Sequence, residues 1–169
     1  LLASLSLSIY EQGTRLPDIT LRNAAGETLQ LTDYQGGPLV INLWATWCPP
    51  CRREMPVLEH AQQQRPDLTF LFVNQGESMQ SVATFLETQG LSLSNMLFDR
   101  GGRLGQAVGS MALPTTLFYS PDGRLLSSHL GELSNASLAH ALEAFEPVTP
   151  AAAPATSVRK LPCPASATC

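Results

Sequence analysis

The 169-residue chain reads as an α/β protein, a central mixed β-sheet flanked by helices with an N-terminal β-hairpin extension. Three observations predict this. Apolar runs of strand length, Leu39–Trp44 and Leu68–Asn74, are each followed by a segment of helical period, as in buried parallel strands with crossover helices. Two further runs, Thr115–Tyr119 and Leu125–Leu130, flank the turn tripeptide Pro121-Asp122-Gly123 and read as an antiparallel hairpin. A first hairpin is expected from Ile19–Leu21 and Thr28–Leu31 around Ala25-Gly26.

The remaining elements follow in order. Thr32 is expected to cap a short turn before Gly36-Gly37. A helix should begin at Pro49, with Met55, Leu58 and Ala61 at helical spacing and Pro56 bending it. A second helix spans Ser78–Gln89 and ends at Gly90. Leu97-Phe98 with Gly101–Val108 reads as a short connection and helix, and Asn135–Phe145 as a closing amphipathic helix.

Three regions are expected: a leader over 1–15, a folded domain over 16–146 and a flexible Pro/Ala-rich tail over 147–169. The leader reads two ways, as the stub of a signal peptide or membrane anchor, or as an edge strand in which Leu5, Leu7 and Ile9 alternate with serines. Apolar content of 44% with 14% charged residues places the chain among globular proteins. A net charge of −4 with no basic stripe argues against nucleic acid as a partner. No apolar run approaches the roughly 18 residues that span a bilayer.

Trp47-Cys48-Pro49-Pro50-Cys51 carries the chemistry. A strand that delivers Cys-x-x-Cys to a helix N-terminus is the arrangement of a dithiol–disulfide redox site. A residue before proline avoids the α region, so Cys48 should be the N-cap and Pro49 the first helical residue. Pro50 has no amide, which leaves the Cys51 N–H as the natural donor to the Cys48 sulfur. The helix dipole also favours a thiolate there. Cys48 is therefore expected as the exposed, low-pKa nucleophile and Cys51 as the buried resolving thiol. Pro49 removes an amide that a Cys-Gly-Pro-Cys site keeps, which should leave the thiolate less stabilised and the pair more reducing. Arg52 and Arg53 read first as solvated helix residues and second as a source of positive potential.

The run Val40–Pro56, together with Leu16-Pro17-Asp18, Gly26, Leu31, Asp33 and Gly36, resembles the TlpA/ResA/DsbE branch of the thioredoxin superfamily. Ala112-Leu113-Pro114-Thr115-Thr116 is similar to that family's cis-proline loop. The resemblance covers residues 16–146. It implies a thioredoxin fold in a bacterial periplasmic or other extracytoplasmic protein, with a membrane tether upstream of residue 1 as one arrangement. It implies a disulfide-bearing protein substrate, a membrane thiol-reducing electron donor and no cofactor. It also implies a cis Pro114 beside the Cys48–Cys51 pair, with Leu113 offering backbone to an extended peptide. Trp47, Pro49 and Pro50 would complete the docking surface, although Trp47 serves equally as an aromatic covering the core. Cytoplasmic thioredoxins place a buried aspartate where this chain has Asn42. An amide is no general base, so water or an unidentified carboxylate must take the Cys51 proton. The acidic insertion of cytochrome c maturation members has no counterpart.

Other readings rank lower. Cys163 and Cys169 have no patterned surroundings and are not expected to be catalytic; a zinc site joining them to Cys48 and Cys51 has poor spacing. His60, His129 and His140 read as surface histidines, and Asp99 and Arg103 as solvated loop charges. The alternatives in function are a disulfide oxidase or isomerase, a peroxiredoxin-like thiol peroxidase suggested by Pro17–Gly36, and a redox-inert binding module.

Overall fold

The computed structural model describes residues 13–146. The tail with Cys163 and Cys169, and the leader except Gly13–Arg15, lie outside the described residues. The strands are β1 (Thr20–Asn23), β2 (Thr28–Gln30), β3 (Leu39–Trp44), β4 (Thr69–Gln75), β5 (Met96–Asp99), β6 (Thr115–Tyr119) and β7 (Leu125–Leu130). The helices are α1 (Pro49–Gln64), α2 (Met79–Gln89), α3 (Arg103–Val108) and α4 (Asn135–Leu142), the last continued by a 3-10 turn over Glu143–Phe145.

One sheet holds all seven strands in the order β2-β1-β5-β4-β3-β6-β7. β3 pairs parallel with β4, and β4 parallel with β5; the other pairings are antiparallel. This is a thioredoxin-like sheet with the β1–β2 hairpin added to the β5 edge. Every residue of β3 is buried, which is why its sequence is a continuous apolar run rather than an alternating one. Val40, Trp44, Phe70 and Phe72 pack on one face with Met55 and Leu58 of α1, Val82 of α2 and Leu138 of α4. Leu39, Ile41, Leu43, Leu71 and Val73 pack on the other with Leu104 of α3 and the entering segment Leu16–Leu21. Gly13 and Thr14 exchange backbone hydrogen bonds with Leu125, so Gly13–Arg15 pair with the β7 edge.

Local chemistry explains most boundaries. Ser78 caps α2 by accepting from the Ser81 amide, and Gly90 ends it with φ of 65°, a left-handed value that glycine adopts at little cost. α1 continues through Pro56 to Gln64. Three expectations are corrected. Asp33, not Thr32, secures the 3-10 turn Leu31–Tyr34: its carboxylate accepts from the Gln30 amide at 3.1 Å, while the Thr32 hydroxyl turns away to Asp18. The supposed connection at Leu97-Phe98 is β5, an interior strand buried throughout, and its four residues are too few to show a period. Asp99 is not a solvated loop charge but a buried carboxylate, accepting from the amides of Arg103 and Leu104 at 2.9 Å each and so holding the start of α3.

The role of Asp99 gives a stability prediction. Asp99→Ala strands two amides at the first turn of α3 and should cost about 1–2 kcal/mol in urea unfolding, the usual value of a lost N-terminal cap; an unchanged midpoint contradicts it.

Candidate active site

The parallel strands β3, β4 and β5 end on the same side of the sheet, and the chemistry collects there. β3 runs into Ala45-Thr46-Trp47 and then Cys48, whose φ of −94° and ψ of 107° make it the N-cap of α1. Pro49 and Pro50 form the first turn, and the Cys51 amide donates to Cys48 Sγ at 3.4 Å. This is the donor expected when both intervening residues lack an N–H. Cys48 and Cys51 are joined as a disulfide with Cα atoms 5.3 Å apart. Cys51 is fully buried as expected. Cys48, in the disulfide, is only 4% exposed, not the exposed thiol expected, and packs with the core on the α1 face of the sheet.

The loop carrying Cys48 is clamped from β4. Glu77, just past that strand, accepts from the Thr46 amide at 2.8 Å and from the Thr46 hydroxyl, and it takes the Asn74 side-chain amide at 2.7 Å. On the other side, the β3–β6 register pairs Leu43 with Thr115, which sets Pro114 alongside the end of β3. The Leu113–Pro114 bond is cis, and Pro114 is buried. Thr115 Oγ1 donates to the Ala112 carbonyl at 2.7 Å and lies 2.9 Å from Ser110 Oγ, tying this loop to itself. Trp47 is 68% exposed and Met111 75% exposed; with Leu113 and Gln75 they line a groove of about 310 Å³. Trp47 thus does not cover the core.

The charged candidates are engaged with other partners. Arg53 pairs with Glu132 at 3.0 Å, and the Arg52 guanidinium sits 5.6 Å from the Phe85 ring centroid. His129 Nε2 lies 3.2 Å from the Glu132 carbonyl, and His140 3.3 Å from Glu143. Among the described residues no group of three or more His, Cys, Asp or Glu is placed to hold a metal ion.

One residue that sequence reasoning missed belongs to the site. Glu54 follows Cys51 by one turn of α1, and both are fully buried on the sheet-facing side of the helix. Its Oε1 accepts from the Asn42 side-chain amide at 2.7 Å, and its Oε2 from the Leu133 amide at 2.9 Å. Asn42 also donates to Thr116 Oγ1 at 3.0 Å, so strand, helix and the loop before α4 meet at this carboxyl. Burial pushes the Glu54 carboxyl up to about 7, with the Leu133 and Asn42 donors opposing and the Glu132 charge adding to the rise. A sequence signal existed: Cys51, Met55 and Leu58 mark the buried stripe of α1, and Glu54 lies within it.

This raised value sets the pH dependence of stability. The folded state binds the Glu54 proton more tightly than the unfolded chain, so the stabilisation is complete below about 4.5 and is lost as pH rises to about 7. The loss amounts to about 3 kcal/mol at most, and Glu54→Gln should abolish that slope in denaturant melts between these pH values; equal slopes in both proteins would contradict the assignment.

Comparison with known proteins agrees with this geometry. Residues 11–142 match the redoxin family. The chain is 32% identical over 159 residues to the thiol-disulfide oxidoreductase ResA of Geobacillus thermodenitrificans, an alignment covering 87% of this chain and 91% of the relative. Its fold resembles the exposed lipoprotein thioredoxin Etrx1 of Streptococcus pneumoniae, with TM-score 0.62 and 26% identity over 75% of this chain and 98% of that one. It also resembles a secreted Mycobacterium tuberculosis disulfide oxidoreductase homologous to E. coli DsbE, with TM-score 0.66 and 24% identity over 75% and 96% of the two chains. The chain belongs to the redoxin family, as a ResA-like thiol-disulfide oxidoreductase whose redox pair is Cys48 and Cys51.

Proposed function

We propose that this protein works as a reductant of disulfides in extracytoplasmic proteins, with residues 16–146 as its working domain. The observation that carries the direction is the amide count at Cys48. Pro49 and Pro50 supply no N–H, so a single backbone donor, Cys51 N at 3.4 Å, faces the sulfur. A thiolate held by one amide and the helix dipole is less stabilised than one held by several, which favours the oxidised protein and makes the reduced pair a better electron source.

In the forward reaction the Cys48 thiolate attacks a substrate sulfur, forming a mixed disulfide and releasing the first substrate thiolate. The Cys51 thiolate then attacks Cys48 Sγ and releases the second. The substrate gains two electrons and the protein ends as its disulfide. Glu54, poised near neutrality one turn from Cys51, is the proton acceptor that Asn42 cannot be. Trp47, Pro49 and Pro50 flank the nucleophile, while Leu113 and Pro114 present the start of β6 to an extended peptide, which docks as an added strand segment. A membrane thiol-reducing donor returns the electrons. Two structural relatives, an exposed lipoprotein and a secreted enzyme, favour work outside the cytoplasm. No helix among the described residues is long and apolar enough to cross a membrane.

The direction is tested by equilibrating the pair against glutathione in a Cys163→Ser/Cys169→Ser protein. A potential at or below about −230 mV supports a reductant, and one near about −120 mV makes the protein an oxidant. Cys51→Ala should trap the mixed disulfide with a peptide substrate. Glu54→Gln should slow resolution about 10²-fold at pH 7 while leaving the first attack nearly unchanged, read by quenched-flow separation of the two steps.

A further inference from the structure

The groove beside Trp47 does not end at the sulfurs. Past the end of β5 it shares Arg100 and Gly101 with a second cleft of about 380 Å³. That cleft is lined by Arg22 of β1, Arg100, and Arg103 at the start of α3, over a floor that includes Phe98. The topology brings the three arginines together. Arg22 is in register with Phe98, two residues before Arg100, and the Arg103 side chain folds back over Gly101. All three are exposed, and none is in an ion pair with a described residue. The Arg22 guanidinium makes one long hydrogen bond, to the Gly26 carbonyl at 3.5 Å.

Two carboxylates border the same surface, Asp99 and Glu77. Both are engaged elsewhere: Asp99 is buried against the Arg103 and Leu104 amides, and Glu77 is held by Thr46 and Asn74. The surface therefore offers three forked cationic donors, none of them ion-paired to a carboxylate among the described residues. Four other arginines among the described residues are committed: Arg53 to Glu132, Arg65 to Asp67 and Glu146, Arg52 over Phe85 and Arg124 to the Gly13 carbonyl; exposed Arg15 lies away from the cleft, bridged by its backbone to Arg124. On a chain of net charge −4 this is a concentration of unspent positive charge.

We propose that the Arg22–Arg100–Arg103 cleft is a substrate subsite that receives an acidic segment of the disulfide-bearing protein. The proposal rests on the reductant reading above and specifies its substrate class. β5 lies two strands from β3, about 10 Å, the reach of three extended residues. A peptide whose cysteine sits over Cys48 and whose apolar neighbour packs on Trp47 and Met111 thus carries its next few residues to the arginines. Carboxylates there meet guanidinium groups, whereas Lys or Arg at those positions meets like charge.

The test uses two peptide disulfides identical except for Asp-Glu-Glu or Asn-Gln-Gln placed three residues from the cysteine, each reacted with the reduced full chain at low salt. The acidic peptide should react about threefold to tenfold faster, with the advantage shrinking at high salt. In an Arg22→Gln/Arg103→Gln protein the ratio of the two rates should fall toward one. Equal rates in the unaltered protein, with both peptides reduced, overturn the subsite and leave the reductant reading standing. If neither peptide is reduced, the reductant reading fails, and a cysteine-free acidic peptide still decides the subsite through backbone NMR. Shifts at Arg22, Arg100 and Arg103 support the site, and unmoved resonances overturn it.

Discussion

The structure turns on one buried polar contact, the carboxyl of Glu54 held between the Asn42 side chain and the Leu133 amide. A carboxyl with no exposed surface is costly unless its oxygens are satisfied, and each Glu54 oxygen has one donor. Those donors come from β3 and from the loop before α4, so the contact also fixes how α1 sits on the sheet. α1 in turn presents Cys48 at its cap and Cys51 in its first turn. The compensation of burial is incomplete, which leaves Glu54 titrating at about 7, one turn of α1 from Cys51.

Around that contact the fold separates rigid support from substrate contact. The Cys48 loop is fixed on one side by Glu77 and on the other by the β3–β6 register that places Pro114. The exposed side chains at this end, Trp47 and Met111, face the solvent over the groove. Placing the redox pair where β3, β4 and β5 all terminate puts loops from three strands around one groove, the usual advantage of the carboxyl edge of a parallel sheet.

Much of this was legible from residues alone. The all-buried β3 announced itself as an unbroken apolar run, and the two prolines of the Cys-x-x-Cys dictated the Cys48 cap and its single amide donor. β6 and β7 followed from Pro121-Asp122-Gly123. The failures share a cause: short or charged stretches whose meaning is set by distant partners. β5 has only four residues and no period of its own. Asp99 looks like a turn charge until the amides of α3 are seen above it. Glu54, beside Arg52 and Arg53, reads as surface charge although the stripe of Cys51, Met55 and Leu58 includes it. Asn42 in a strand buried on both faces was the companion clue, since a buried amide demands a partner. Cys48 reads as an exposed nucleophile at a helix cap, whereas in the disulfide its sulfur is buried.

The most direct test of this account is the titration of Glu54 itself, followed by the carbon-13 resonance of its carboxyl in the disulfide form. A midpoint of about 7 would establish the buried, proton-holding carboxyl on which both packing and chemistry depend. A midpoint near about 4.3, the value of a solvated glutamate, would contradict it and with it the proposed acceptor for the Cys51 proton.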